Sequence, residues 1–138
     1  MSTRTLLLPL ALLIAGTGLV TTVNAAEAPS DYSKTYQHCM DTQSSTGGMV
    51  DCIASETRLQ DQRLNANYQA AIKPLEPKQR TALRDVQRLW MKFRDADCAL
   101  ENGLTGGTID RVNAQMCLLQ ATRQRADTLA ARLQVQDR

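Results

Sequence analysis

Hydrophobic residues are distributed along this chain in two ways. Leu6 to Val20 is an almost unbroken apolar run, interrupted only by Pro9 and a few small residues. Beyond it, apolar positions recur at steps of three and four, the spacing of amphipathic helices, and no alternating strand pattern of any length occurs. The first run follows a short positive start at Arg4 and precedes the small-residue sequence Val23-Asn24-Ala25. That combination is the signature of a signal peptide, residues 1–25, with cleavage expected after Ala25. The run is short for a membrane span, which needs about 20 apolar residues, and it lacks a basic stop-transfer flank. No Cys follows it, so no lipid anchor is expected. Residues 26–138 are expected to form one exported domain, periplasmic or secreted, with no membrane anchor.

In that domain, Asp31 to about Met40 reads as a short helix with Tyr32, Tyr36 and Cys39 on one side. Asp41 to Gly48 is polar and small and reads as a loop. A second helix is expected from Met49 to about Lys73, on Ile53, Leu59, Leu64, Tyr68 and Ile72. Pro74 and Pro77 break the chain, and Pro77 suits the first position of a third helix, with Glu76 a poor cap before it. That helix, to about Asn102, carries Leu83, Val86, Leu89, Trp90, Phe93, Ala96 and Leu100 as its expected buried arc. A fourth, from about Ile109 to Leu133, carries Ile109, Val112, Met116, Leu119, Ala126, Leu129 and Leu133 as its apolar stripe, with Thr108 as its expected N-cap. Three long helices and one short one, joined by short loops, predict an all-α antiparallel bundle. A hairpin that completes its core by dimerising is the alternative, so the oligomeric state stays open.

Four cysteines change the picture: Cys39, Cys52, Cys98 and Cys117. An even number in a small exported chain predicts two disulfides. Zinc is the rival, but there is no C-x-x-C pair and His38 is the only histidine, so no metal site is expected. Of the three connectivities, Cys39–Cys52 and Cys98–Cys117 are favoured, because each pair brackets a glycine-bearing turn and would staple a local helical hairpin. Charge adds a further exclusion. Only Arg4 of the 16 basic residues lies in the leader and none of the 14 acidic ones does, so the net charge of +2 falls to +1. A near-neutral domain does not predict nucleic-acid binding.

Candidate chemistry is sparse. His38 is the sole histidine base and adjoins a cysteine, and Asp95 and Asp97 stand two apart on a helix, pointing in different directions. No phosphate-binding glycine motif occurs. No catalytic residues and no cofactor are therefore assigned, and a binding role is favoured over an enzyme. Arg80, Arg84, Arg88 and Lys92 stand four apart as a slanting basic stripe. It reads first as a solvated face and second as a surface for an acidic protein or an anionic envelope polymer. Asp97 and Thr122 fall inside apolar arcs, where polar groups need partners. An inter-helix network using Arg94 or Arg125 is expected there.

The ordered set Leu64-Asn65-x-x-Tyr68, Gln87-Arg88-x-Trp90-x-x-x-Arg94-Asp95-x-x-Cys98, then Cys117-x-x-x-x-Thr122-x-x-Arg125-x-x-x-Leu129 resembles the signature of the LprI-like family. This group, once a domain of unknown function, is named for a mycobacterial lysozyme inhibitor. The resemblance covers about residues 36 to 133. It implies an exported, helical, disulfide-bonded domain whose partner is a protein, with lysozyme as the implied target. The chain departs from some exported members in lacking a lipid-attachment Cys. Its charge of +1 also gives no electrostatic steering toward a basic lysozyme. The loop from Glu101 to Asp110, with Asn102 and Thr105 between them, is the candidate inhibitory segment, since a short pinned loop enters a cleft at low entropic cost. An envelope structural or adaptor role without inhibition is the alternative.

Overall fold

In this computed structural model, residues 32–136 are described, and the leader expected over residues 1–25 lies outside them. Four helices build the fold: α1 (Lys34–Thr42), α2 (Thr46–Ile72), α3 (Pro77–Ala99) and α4 (Ile109–Gln136). The bundle is all-α, with no strand among the described residues and two disulfides, as the spacing of apolar residues and cysteines predicts. Cys39 is bonded to Cys52 and Cys98 to Cys117, with Cα atoms 5.7 and 5.4 Å apart.

Local chemistry sets the helix ends. Ser33 caps α1 by accepting from the Tyr36 amide, and Ser45 caps α2 by accepting from the Gly48 amide. The loop expected over 41–48 is therefore shorter: α1 continues to Thr42 and α2 begins at Thr46. Pro77 opens α3 after Glu76, whose side chain makes no cap hydrogen bond. Thr108 stands immediately before α4, and its hydroxyl accepts a hydrogen bond from Thr46 Oγ1, 3.3 Å away.

Successive long helices run antiparallel, so α2 and α4 point the same way and form the most extensive helix pair. Thr46 meets Thr108 at one end of that pair. Further along, Arg63 is paired with Asp127, and Asn67 Nδ2 donates to the Ala126 carbonyl at 2.9 Å. The core has two parts. At one end Ile53, Val112 and Leu119 pack with Tyr32, Tyr36 and Met116, so α1 closes that end. At the other, Leu64, Ala71, Leu83, Ala126 and Leu129 pack with Tyr68 and Trp90. α3 enters the core only at this second end, and its far end is held to α4 by the Cys98–Cys117 bond.

Two expected apolar arcs are corrected, and Ile109, the expected first residue of the stripe on α4, is exposed. On α2, Leu59 is exposed, and the buried line runs through Glu56 and Gln60 instead. Glu56 is retained because its carboxylate accepts from Ser33 N (3.2 Å), Ser33 Oγ (2.6 Å) and Gln60 Nε2 (2.8 Å). On α3 the expected arc splits in two. Leu83 is buried and Trp90 half-buried, but Val86, Leu89, Phe93, Ala96 and Leu100 face solvent. The inward line is Leu83, Gln87, Trp90, Arg94 and Cys98. The rotation of α3 follows from Cys98, which must face Cys117, and from Trp90, which packs on the lower core. Asp97, expected inside the arc, is exposed for the same reason.

Candidate functional site

Trp90 is the hub of the region where α3 lies on its neighbours. The Arg94 guanidinium carbon stands 5.0 Å from the indole centroid and that of Arg125, on α4, stands 5.7 Å from it. Such contacts are each worth about 0.5–1 kcal/mol, more where desolvated. Arg94 Nη1 donates to Thr122 Oγ1 at 3.4 Å, and its other nitrogens meet Asp95 Oδ1 at 2.7 and 2.9 Å. Thr122 is fully buried, so this contact satisfies a hydroxyl that lies among apolar neighbours. Arg125 Nε donates to the buried Gln87 Oε1 at 2.9 Å, while its Nη2 has no hydrogen-bond partner among the described residues. Burial, with Arg132 adding repulsion, moves the Arg125 guanidinium below its ordinary pKa.

Two hollows flank this hub. Between α3 and α4, an open groove of about 700 Å³ is walled by Phe93, Asp97, Glu101, Met116 and Gln124 beside Trp90 and the two arginines. Between α3 and α2, a smaller hollow of about 330 Å³ is formed by Asp61, Asn65, Tyr68, Arg84 and Arg88, again with Trp90 and Arg94. Asn65 is exposed and donates to Asp61 Oδ2 at 3.0 Å, while Tyr68 packs on the lower core. The structure thus gathers Asn65, Tyr68, Trp90, Arg94, Asp95, Thr122 and Arg125 around α3 from three separate segments.

The loop after α3 borders the groove. Gly103 and Gly106 take φ of +98° and +74°, a backbone region that other residues rarely adopt. Glu101 is half-buried, whereas Asn102, Leu104 and Thr105 are exposed. Asp110 is only 4% exposed and faces back into the loop. Its carboxylate accepts from Thr105 Oγ1 (2.7 Å), from the Thr105 amide (3.1 and 3.3 Å) and from the Gly106 amide (3.0 Å). The Thr105 hydroxyl bond above all, with the amides, holds its pKa below the ordinary carboxylate value. Asp110 is therefore the internal brace of the loop, not one of its presented groups.

The basic stripe is exposed along its length, but its members differ. Arg80 Nη2 donates to the Leu75 carbonyl at 2.9 Å, Arg88 lies 3.8 Å from Asp85, and Arg84 and Arg88 edge the smaller hollow. Lys92, the last of the four, is exposed. Among the described residues, no cluster of three or more His, Cys, Asp or Glu could hold a metal ion, and no helix is long and apolar enough to cross a membrane.

The family model described as lysozyme inhibitor LprI matches residues 39–129. This chain belongs to the LprI family. The match runs from the first cysteine to Leu129, and so includes both disulfides, the Trp90 hub and the loop at 100–108. No curated protein and no solved structure matches the chain. Within this LprI domain, the signal for Glu56 and Gln60 lay in their four-residue spacing along the line of Ile53 and Leu64, where polar residues are easily passed over.

Proposed function

We propose that this LprI domain is an exported protein-binding domain that inhibits a lysozyme-type muramidase. Its membership of the lysozyme inhibitor LprI family, over residues 39–129, carries the reading. Two features support it. The two disulfides suit an oxidising compartment outside the cytoplasm, in keeping with a leader over residues 1–25. The loop at 100–108 is braced from within by Asp110 and tethered by Cys98–Cys117, so docking it costs little further ordering. Glu101 at the groove rim and the exposed Leu104 are the groups this loop offers to a partner.

The second reading is an envelope adaptor without inhibitory activity. The exposed apolar residues of α3 favour it, because an adaptor needs a surface that buries on contact. Lysis of a peptidoglycan suspension by chicken-type and goose-type lysozymes, with and without the oxidised protein, separates the two. Dose-dependent, roughly stoichiometric inhibition that weakens on Leu104→Asp or Glu101→Lys supports the inhibitor. Undiminished lysis at a large molar excess of folded protein removes it and leaves the adaptor.

A further inference from the structure

Ala82, Val86, Leu89, Phe93, Ala96 and Leu100 follow one another on the outward side of α3 at alternating steps of four and three. That is the a/d spacing of a coiled-coil seam, whose 3.5-residue period suits a facing helix. A surface helix ordinarily turns polar residues outward. Here the outward line holds none, whereas the inward line holds Gln87 and Arg94. Val86 is 44% exposed, and Leu89 and Phe93 are 66% exposed. The patch continues around the end of the bundle into a hollow formed by Leu75, Ala82, Val86 and Val135.

We propose that this line is the seam of an antiparallel two-stranded coiled coil through which two copies of the chain form a symmetric dimer. A second copy is the occupant because the line is complementary to itself. In a twofold contact, if residue i meets j, then j meets i. The antiparallel register that sets Val86 against the partner's Leu89 also sets Phe93 against the partner's Ala82. Each of these layers, between Ala82 and Phe93, then joins a larger residue to a smaller one, while Ala96 and Leu100 extend past the paired stretch. A parallel pairing would stack Phe93 on Phe93 and set Ala82 and Ala96 each against itself, leaving one layer crowded and two underfilled. The residues flanking the seam agree. In the antiparallel register Asp85 of each copy lies beside Lys92 of the other, twice per dimer. Exposed ion pairs add little affinity, but at such flanking positions they select orientation and register.

The test is sedimentation equilibrium of the oxidised chain from micromolar to submillimolar concentration. A monomer–dimer equilibrium is expected. Leu89→Asp and Phe93→Asp, at largely exposed sites outside both core clusters, should each give a monomer with unchanged helical circular dichroism. Asp85→Lys or Lys92→Asp alone opposes like charges and should weaken the dimer several-fold, and the two together should restore it. A monomer at submillimolar concentration overturns the proposal, as does a dimer indifferent to Leu89→Asp. A double swap weaker than either single one overturns the antiparallel register. If the chain is monomeric and Leu89→Asp abolishes binding to a lysozyme, the line is a contact for that partner instead. Because the readout is mass, its failure leaves the inhibitor reading standing, and loss of inhibition leaves the dimer standing.

Discussion

Glu56 of α2 takes both the amide and the hydroxyl hydrogen of Ser33, the residue that caps α1. One buried carboxylate therefore joins the start of the short helix to the middle of a long one. Charged hydrogen bonds of this kind contribute about 1.5–3 kcal/mol. Glu56→Ala should lower the melting temperature by about 10 °C, on the usual scaling of about 4–8 °C per kcal/mol for a domain of this size. Thermal circular dichroism measures it. A loss under two degrees would mean that the bridge is unimportant.

The two core clusters predict costs that differ sharply from those of surface changes. Leu119 and Leu129 are fully buried, one in each cluster. Replacing either by Ala should cost about 3 kcal/mol through lost transfer energy and the cavity left behind. Gln62→Ala, at an exposed position on α2, should stay within about 0.5 kcal/mol. Urea denaturation distinguishes these outcomes.

Cys98–Cys117 is the principal tie on the upper half of α3, since the packed core meets this helix at its other end. Replacing both cysteines by Ser should cost about 3 kcal/mol in the chain-entropy model. The increase in amide exchange should concentrate in residues 93–108 and spare α2. Replacing Cys39 and Cys52 should instead release α1. Uniform loss of protection in either variant would contradict this division.

Asp110 makes the loop sensitive to acid. Its pKa is lowered in the folded chain, so its contribution is fully present above the ordinary carboxylate value of about 4 and is lost as pH falls through the depressed folded value. The amide signals of Thr105 and Gly106 should therefore shift together in an NMR titration, at a midpoint below that ordinary value. Thr105→Ala removes the strongest contributor and should move the midpoint upward. Independent midpoints for the two amides would rule out a shared carboxylate.

Much of this structure was legible in the residues. Pro74 and Pro77 placed the break before α3, and the glycines after Asn102 the break before α4, because these residues act locally, whereas Gly47 and Gly48 lie in the first turn of α2 behind the Ser45 cap. Less legible were Glu56 and Gln60, whose burial depends on Ser33 arriving from a different helix. Asp110 reads as an exposed loop acid, yet it faces inward, because the turn at Gly103 and Gly106 brings the Thr105 amide and hydroxyl onto it.

The sequence by itself determined four helices, two local disulfides and the LprI family, because periodicity, short loop closure and ordered motifs are properties of neighbouring residues. Only the tertiary structure decided which side of α3 is inside. Apolarity alone would have buried the line through Val86, Leu89 and Phe93. The Cys98–Cys117 bond and the seat of Trp90 between Arg94 and Arg125 turn the helix the other way. A covalent tie at one end and a large ring packed near the middle set the rotation of a rigid helix, and its most apolar line is left facing out.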